Sequence, residues 1–181
     1  AATAVTPLPV GAKAPAVMVK SVEGADLALP DILAQKPTLL IFYRGSWCPY
    51  CNKHLAALAE IEPRLLALGC QIVALSPDEA AGLRQMAGKN HLNYRLFSDR
   101  AMQAASAFGV AFRVDDKTVK AYTGYGITLP PVPGEAGTHW LPVPAVYVIG
   151  RDGTVKFVHA DPDYKVRLSA EAVVAAAKSA L

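Results

Sequence analysis

The stretch from Thr38 to His54 constrains this chain more than any other, because a strand turns into a helix there and two cysteines stand at the transition. The uninterrupted apolar and aromatic run that ends at Tyr43 is typical of a short strand buried on both faces. From Pro49 onward, apolar residues recur at helical spacing and predict a helix that ends near Leu68. Cys48 and Cys51 therefore lie at the start of this helix.

This position predicts a reactive Cys48. The free N–H groups and the dipole at a helix N-terminus favour a thiolate, so we expect its pKa to fall below the free value of about 8.5. Pro49 suits the first helical position, since it has no N–H to leave unpaired. Arg44 either adds a positive charge or is a surface turn residue. Because Cys51 is within reach of a sulfenic acid or a mixed disulfide on Cys48, we predict that Cys48 attacks and Cys51 resolves.

The same residues resemble a known family. The segment Trp47-Cys48-Pro49-Tyr50-Cys51, between a buried strand and a helix, resembles the active site of the thioredoxin superfamily, and its central Pro-Tyr pair is similar to that of glutaredoxin. The longer string from Phe42 to Cys51 resembles the peroxiredoxin-like branch of the alkyl hydroperoxide reductase/thiol-specific antioxidant (AhpC/TSA) family. The resemblance spans about Val10 to His159. It implies an α/β thioredoxin-like fold, with a central mixed sheet flanked by helices and an N-terminal β-hairpin extension.

Composition favours one domain. The 181 residues are 52% hydrophobic, which is enough for a single core. We expect an extended, partly mobile arm over residues 1–15 and a single domain over residues 16–181. The net charge of +3, without a basic stripe, disfavours a nucleic-acid partner. The absence of a long apolar run predicts no membrane span.

The remaining pattern predicts strands that alternate with helices around a largely parallel sheet. A hairpin is expected over residues 16–29, a strand over 71–76, a helix over 77–89 and a strand over 95–98. Asp99 is expected to cap a helix that ends at Phe108. Repeated glycines and prolines between Gly109 and Pro142 predict a long connection without regular structure. A second hairpin over residues 145–159 and a closing helix over 169–181 complete the chain.

The resemblance also implies a substrate-docking position. Thioredoxin-like proteins place a cis-proline opposite the cysteines, and the residue before it offers backbone hydrogen bonds to a docked substrate. Val143 and Pro144 occupy that place in this sequence. Trp47 and Trp140 are then expected to form an apolar rim for a partner protein or an organic hydroperoxide. Core packing is the alternative for both tryptophans, and more so for Trp140.

Several positions depart from the family patterns. Peroxiredoxins typically carry a proline and a threonine or serine where this chain has Ile41 and Gly45, and an active-site arginine about where it has Pro144. These departures argue against peroxide as the substrate. Thioredoxin keeps a buried acid where this chain has Phe42. Asp99 and Asp152 are candidates to replace that acid as a general base.

Three functions remain open at this point. We favour a thiol-dependent oxidoreductase of the peroxiredoxin-like type, in which Cys48 attacks a hydroperoxide, Cys51 resolves and a thioredoxin- or glutathione-type thiol is the external donor. The alternative is attack of Cys48 on a protein disulfide, without peroxide. The third possibility is a non-enzymatic metal-binding or assembly factor. Cys70 and the four histidines give no standard zinc spacing, so we predict neither a metal nor another cofactor, and an inert core thiol at Cys70. The small residues that follow Ala1 favour a bacterial periplasmic protein, with the cytoplasm as the alternative.

The roles of the two cysteines are testable by exchange to serine. We expect Cys48→Ser to abolish thiol turnover, because the attacking sulfur is lost. Cys51→Ser should instead leave a sulfenic acid or a mixed disulfide on Cys48 that can be trapped and identified by mass spectrometry. The reverse pattern would exchange the two roles.

Overall fold

A computed structural model describes residues 5–132 and 134–181 of the protein. Within them the chain forms these elements in order: β1 (Met18–Lys20), β2 (Asp26–Ala28), α1 (Leu29–Leu33), β3 (Thr38–Phe42), α2 (Pro49–Ala67), β4 (Gln71–Ser76), α3 (Ala80–Asn90), β5 (Arg95–Ser98), α4 (Gln103–Ala107), β6 (Ala111–Val114), α5 (Asp116–Gly124), β7 (Pro131–Val132), β8 (Glu135–Pro142), β9 (Ala145–Ile149), β10 (Val155–Ala160) and α6 (Ala170–Ala180). None of the helices in the described ranges is long and apolar enough to cross a bilayer.

Seven strands form the main sheet in the order β10-β9-β3-β4-β5-β1-β2. Its centre is β3, which runs parallel to β4 and antiparallel to β9. Only the β3–β4 and β4–β5 pairs are parallel, so the prediction of a largely parallel sheet is wrong. The reason is that the two hairpins, β1–β2 and β9–β10, join the parallel centre through antiparallel pairs. The mixed thioredoxin-like sheet with an N-terminal hairpin is confirmed.

Strand β3 is buried along its whole length, as the sequence predicts. Leu39 and Ile41 point into one core layer, which α2, α3 and α6 cover. Leu40 and Phe42 point into the opposite layer, which α1 and α4 cover. Because both faces of β3 are packed, every side chain of the strand must be apolar or hydrogen-bonded. The same packing fixes the carboxyl end of the strand, which leads into α2.

The described part of the N-terminal arm, residues 5–15, is bonded to the domain. The backbone N–H of Leu8 donates to the carbonyl of Phe108 over 2.8 Å. The N–H of Gly11 donates to the carbonyl of Val155, also over 2.8 Å. Residues 1–4 of the predicted arm lie outside the described residues.

The expectation of an irregular connection between Gly109 and Pro142 is wrong. This region holds α5 and a second sheet with the strand order β6-β8-β7. Two physical causes hid it from the sequence. Helix α5 is short and presents only Val119 and Tyr122 to a small apolar cluster, and several residues expected to break regular structure lie inside the elements: Gly124, Pro131, Gly137 and Pro142. We call residues 109–142 the inserted lobe.

The helix that follows the cysteines provides a test of the core. Leu58 in α2 is fully buried, whereas Leu66 in the same helix is 47% exposed. We expect Leu58→Ala to lower the free energy of unfolding by about 2–5 kcal/mol, because the change leaves a cavity in the layer against β3. The matched change Leu66→Ala should cost less than about 1 kcal/mol. Urea unfolding of the disulfide-intact proteins measures both, and equal costs would contradict this packing.

Candidate active site

The cysteine pair lies at the carboxyl end of β3. Cys48 is the N-cap residue of α2, and its Sγ accepts a hydrogen bond from the backbone N–H of Cys51 over 3.3 Å. The two cysteines form a disulfide with their Cα atoms 5.2 Å apart. Cys48 is 1% exposed and Cys51 is fully buried. In this state the backbone of the helix N-terminus already contacts the Cys48 sulfur, as the sequence predicts for a stabilised thiolate.

Two polar side chains that the sequence analysis missed fix the loop before Cys48. The Asn52 amide donates to the carbonyls of Ser46 and Cys48 over 2.8 and 2.9 Å. The Asp78 carboxylate accepts from the N–H of Ser46 over 2.8 Å. Burial raises the pKa of Asp78 above its usual range. The sequence hint for Asn52 is its position: a polar residue directly after Cys51, in the first turn of the helix.

Arg44 is buried beside the cysteines and is not a surface turn residue. Its guanidinium carbon lies 5.0, 5.7 and 4.3 Å from the ring centroids of Trp47, Tyr122 and Tyr164. Its Nη2 donates to the hydroxyl of Tyr122. Among the described residues, no carboxylate lies within ion-pair distance of this guanidinium. The charge is therefore stabilised by aromatic faces and one hydroxyl, which makes it available to a further anion.

A second arginine approaches the resolving cysteine. Nη2 of Arg167 lies 3.4 Å from Sγ of Cys51, and its Nη1 lies 3.4 Å from Nδ1 of His54. Burial, followed by the charge of Arg44, lowers the pKa of Arg167 to about 10. Burial, followed by the charges of Arg167 and His159, lowers the pKa of His54 to about 4. At neutral pH the site therefore combines a neutral imidazole with two guanidinium groups close to the sulfurs.

The inserted lobe completes a cavity of about 450 Å³ beside Arg44. It is lined by residues from the lobe, from the end of β8 and from the loop before α6: Arg44, Phe112, Val114, Asp115, Thr118, Tyr122, Leu141, Pro144, Pro162, Asp163, Tyr164 and Lys165. No group of three or more metal-ligating side chains is assembled within the described ranges. The site therefore offers a chamber with apolar, aromatic and charged walls, and one of the charges is the buried Arg44.

The residues that were predicted to dock a substrate, Trp140, Val143 and Pro144, do not lie together on one surface. Pro144 lines the cavity, but the Val143–Pro144 bond is trans, so the expected cis-proline is wrong. Val143 is fully buried and donates its N–H to the carbonyl of Val110 over 2.7 Å, which ties this bond to the inserted lobe. Trp140 packs against the opposite core layer, and the structure does not bring it to Trp47. Leu141 takes the place on the cavity that was expected of Trp140.

The other predicted site residues lie at the first turn of α2. Pro49 is its first helical residue. Tyr50 is 42% exposed, and its ring packs edge-on against Tyr164 at 5.5 Å between centroids. Trp47 packs against Tyr122 with its ring centroid at 5.2 Å. These two contacts join the cysteine loop to the walls of the cavity.

The candidates for a general base lie elsewhere. Asp99 accepts hydrogen bonds from the N–H groups of Ala104 and Ala105 and so caps α4, while burial raises its pKa to about 6. Asp152 accepts from the N–H of Thr154 in the β9–β10 turn. Neither carboxyl is at the cysteines, so both proposals for a base are wrong. Cys70 is a buried free thiol beyond the far end of α2, and burial raises its pKa to about 11.

The sequence of this chain is similar to those of known thiol-dependent redox proteins. The model of the AhpC/TSA family matches residues 10–158. Peroxiredoxin Bcp of Escherichia coli is 30% identical over 104 residues, which are 58% of this chain and 66% of the relative. The thiol-disulfide oxidoreductase ResA of Bacillus anthracis is 30% identical over 146 residues, which are 81% of this chain and 66% of the relative. The chain thus matches just under two thirds of the length of each relative.

Solved structures show the same fold. The crystal structure of peroxidoxin BcpB from Mycobacterium tuberculosis superposes with a TM-score of 0.72 at 19% identity. The superposition covers 95% of this chain and 97% of the other. At this identity the likeness shows the fold.

The buried His54 makes stability depend on pH. Its pKa is about 4 in the folded protein and about 6.5 when unfolded, so only the unfolded state binds the proton between these values. The contribution of His54 is therefore fully present above pH of about 6.5 and is lost as the pH falls to about 4. We expect His54→Gln to remove this part of the pH dependence. Urea unfolding from pH 4 to 7 tests it, and parallel profiles of the two proteins would contradict it.

Proposed function

Because the chain belongs to the AhpC/TSA family, we propose that it is a thiol-dependent peroxidase in which Cys48 reduces a hydroperoxide and Cys51 resolves the product. The observation that carries this proposal is the Cys48–Cys51 pair at the N-terminus of α2, with the Arg167 guanidinium at Cys51 and the Arg44 guanidinium on the ring of Trp47, the residue before Cys48. The name of the Escherichia coli relative supports peroxide as the substrate.

The proposed reaction begins at the Cys48 thiolate. Its sulfur attacks one oxygen of the hydroperoxide, the S–O bond forms and the O–O bond breaks. The leaving alkoxide takes a proton and departs as an alcohol, or as water from hydrogen peroxide. The Cys51 thiolate then attacks the sulfenic acid on Cys48, and the hydroxide leaves as water once it is protonated. Two thiols of an external donor return the disulfide to the reduced state.

The charges near the sulfurs fit these steps. The N–H of Cys51 and the end of α2 lower the energy of a Cys48 thiolate. The Arg167 guanidinium, 3.4 Å from Cys51, favours the thiolate form of the resolving cysteine. His54 stays neutral at physiological pH, so it does not compete for that stabilisation. Each cysteine therefore has its own source of positive potential.

The hydroxyl that peroxiredoxins use to orient peroxide has no counterpart at Gly45. A Cβ added to Gly45 would overlap the indole of Trp47, so the tryptophan occupies this space. We propose that Arg44, whose only hydrogen-bond acceptor among the described residues is the Tyr122 hydroxyl, orients the hydroperoxide instead. A guanidinium can donate to both oxygens of a peroxide.

A second candidate function is exchange with protein disulfides without peroxide. The match to ResA favours it, because it extends over 81% of this chain, against 58% for Bcp. The glycine at position 45 also favours it, since it removes a peroxide ligand. The same two sulfurs would act in the same order.

Rapid mixing of the reduced protein with hydrogen peroxide or an organic hydroperoxide distinguishes these functions. We expect a Trp47 fluorescence transient that is much faster than the reaction of a free cysteine thiolate, because the helix end and Arg44 stabilise the reacting charge. The transient should be absent in Cys48→Ser. Cys70→Ala, which removes a thiol far from the site, is the matched control and should retain it. A reaction no faster than that of free thiolate would reject the peroxidase and leave disulfide exchange.

A further inference from the structure

The cavity that Arg44 lines is too large for hydrogen peroxide alone. It measures about 450 Å³, and its walls include Phe112, Leu141 and Pro144. A chamber of this size and composition accommodates an organic molecule of small-ligand size. Its lining nevertheless contains the guanidinium of Arg44, which is 6% exposed.

Arg44 lacks the partner that a buried arginine usually has. Among the described residues it donates only to the Tyr122 hydroxyl, and no carboxylate is within ion-pair distance. Removing a charge from water is unfavourable, and aromatic faces offset only part of this cost. Arg167, the neighbouring cation, has no carboxylate partner in the described ranges either. A ligand carboxylate would supply the missing negative charge through a bidentate pair with Arg44.

The rim of the cavity restricts the charge of such a ligand. Lys165 adds one positive charge, while Asp115 and Asp163 add two negative charges. The Asp115 carboxylate accepts hydrogen bonds from Thr118, and the Asp163 carboxylate accepts from the N–H of Lys165 over 3.0 Å. The lining is therefore neutral overall, which disfavours a polyanion. A ligand with one carboxylate directed at Arg44 pairs with the guanidinium and also fits a lining without net charge.

The redox state of the cysteines indicates which reactant this ligand is. The disulfide is the state that meets the reductant, because the hydroperoxide has already been consumed. Cys48 is 1% exposed and Cys51 is fully buried, so a cysteine on the surface of a protein donor has no exposed sulfur to attack. A small thiol held at Arg44 in the cavity is instead separated from Cys48 only by Trp47, which contacts Arg44 and directly precedes Cys48 in the chain.

We propose that the cavity binds the electron donor, a low-molecular-weight thiol whose carboxylate pairs with Arg44. This inference rests on the proposed function, of which it identifies the donor. The Trp47 indole stacks on Arg44 and packs against Tyr122, which both line the cavity, and Trp47 directly precedes Cys48 in the chain. A carboxylate that pairs with Arg44 competes with this stack and allows the indole to move away from the sulfur.

The reduction balances with two molecules of the thiol. The thiolate of the first attacks the Cys48 sulfur, a mixed disulfide forms and the Cys51 thiolate leaves beside Arg167. The thiolate of the second attacks the donor sulfur of the mixed disulfide, releases the symmetrical disulfide and frees the Cys48 thiolate. The two donor thiols lose two electrons, which the protein disulfide gains. Their two protons pass to the cysteines or to solvent. The Arg167 guanidinium, 3.4 Å from Cys51, makes Cys51 the better leaving group.

The test compares thiols that differ only in the carboxylate. The full-length disulfide protein is mixed with N-acetylcysteine or with N-acetylcysteine amide, and reduction is followed through tryptophan fluorescence. Each rate is divided by the rate of the same thiol with 2-hydroxyethyl disulfide, which removes differences in thiol pKa. We expect the carboxylate to raise the normalised rate about tenfold, as one charge-assisted contact implies, and the rate to saturate with concentration. Equal normalised rates without saturation would overturn the inference.

Substitutions then locate the carboxylate. Arg44→Met should abolish the preference, and Arg44→Lys should retain only part of it, because lysine keeps the charge but not the bidentate geometry. Lys89→Gln in α3 removes a surface charge far from the cavity and should leave the preference unchanged. If Arg44→Met does not fold, competition by N-acetyl-S-methylcysteine, which keeps the single carboxylate but has no thiol, replaces it. A failure of this compound to slow wild-type reduction would also overturn the inference.

The remaining outcomes separate this inference from the peroxidase function. If the reduced protein prefers a carboxylate-bearing hydroperoxide over its methyl ester, and no thiol preference exists, the cavity binds the substrate and the donor assignment is overturned. If only a protein dithiol reduces the disulfide, it is overturned as well. If the thiol preference is found but Cys48 does not react rapidly with hydroperoxides, the donor site is supported and the peroxidase proposal fails.

Discussion

The burial of β3 on both faces is the constraint on which the rest of this structure depends. Leu39 and Leu40 pack into opposite core layers, so a shift of the strand by one residue would exchange the side chains of the two layers and disrupt the packing of both. Since β3 cannot shift, the residues that follow it are also fixed. Cys48 is thereby placed at the end of α2, where unpaired N–H groups meet its sulfur. The reactivity expected of this cysteine thus follows from the packing of a strand that takes no part in the chemistry.

The second element of the site is positive charge without carboxylate counter-ions. Arg44 and Arg167 are held beside the cysteines by aromatic rings, a hydroxyl, a backbone carbonyl and an imidazole. When the cysteines form a disulfide, the sulfurs carry no charge to balance these cations. On reduction the sulfurs can become thiolates, and their negative charge then balances the two cations. The two guanidinium groups therefore favour the reduced form electrostatically, and they favour anionic reactants in the oxidised form.

The sequence predicts the centre of this site well and its surroundings poorly. The strand, the helix and the order of the cysteines follow from local periodicity, because they lie within one continuous segment. Arg167 comes more than a hundred residues after Cys51, and no local pattern links the two. Tyr122 lies on a short helix that packs only Val119 and Tyr122 against the core of the lobe, so its amphipathic pattern is too brief to be recognised in the sequence. The inserted lobe was missed for the same reason, and the assignment of Trp140 to the site failed because the register of β8 places Leu141 on the cavity.

The close approach of Gly45 and Trp47 has a consequence for how this site can vary. The space that a side chain at position 45 would need is filled by the indole, so the two positions share one volume. A hydroxyl-bearing residue at position 45 and a tryptophan at position 47 exclude one another, and a single substitution at either position leaves a clash or a gap. In mutational terms the two positions are epistatic. A chain that exchanges the indole for a hydroxyl must change both residues together, and it also loses one of the three rings that hold Arg44.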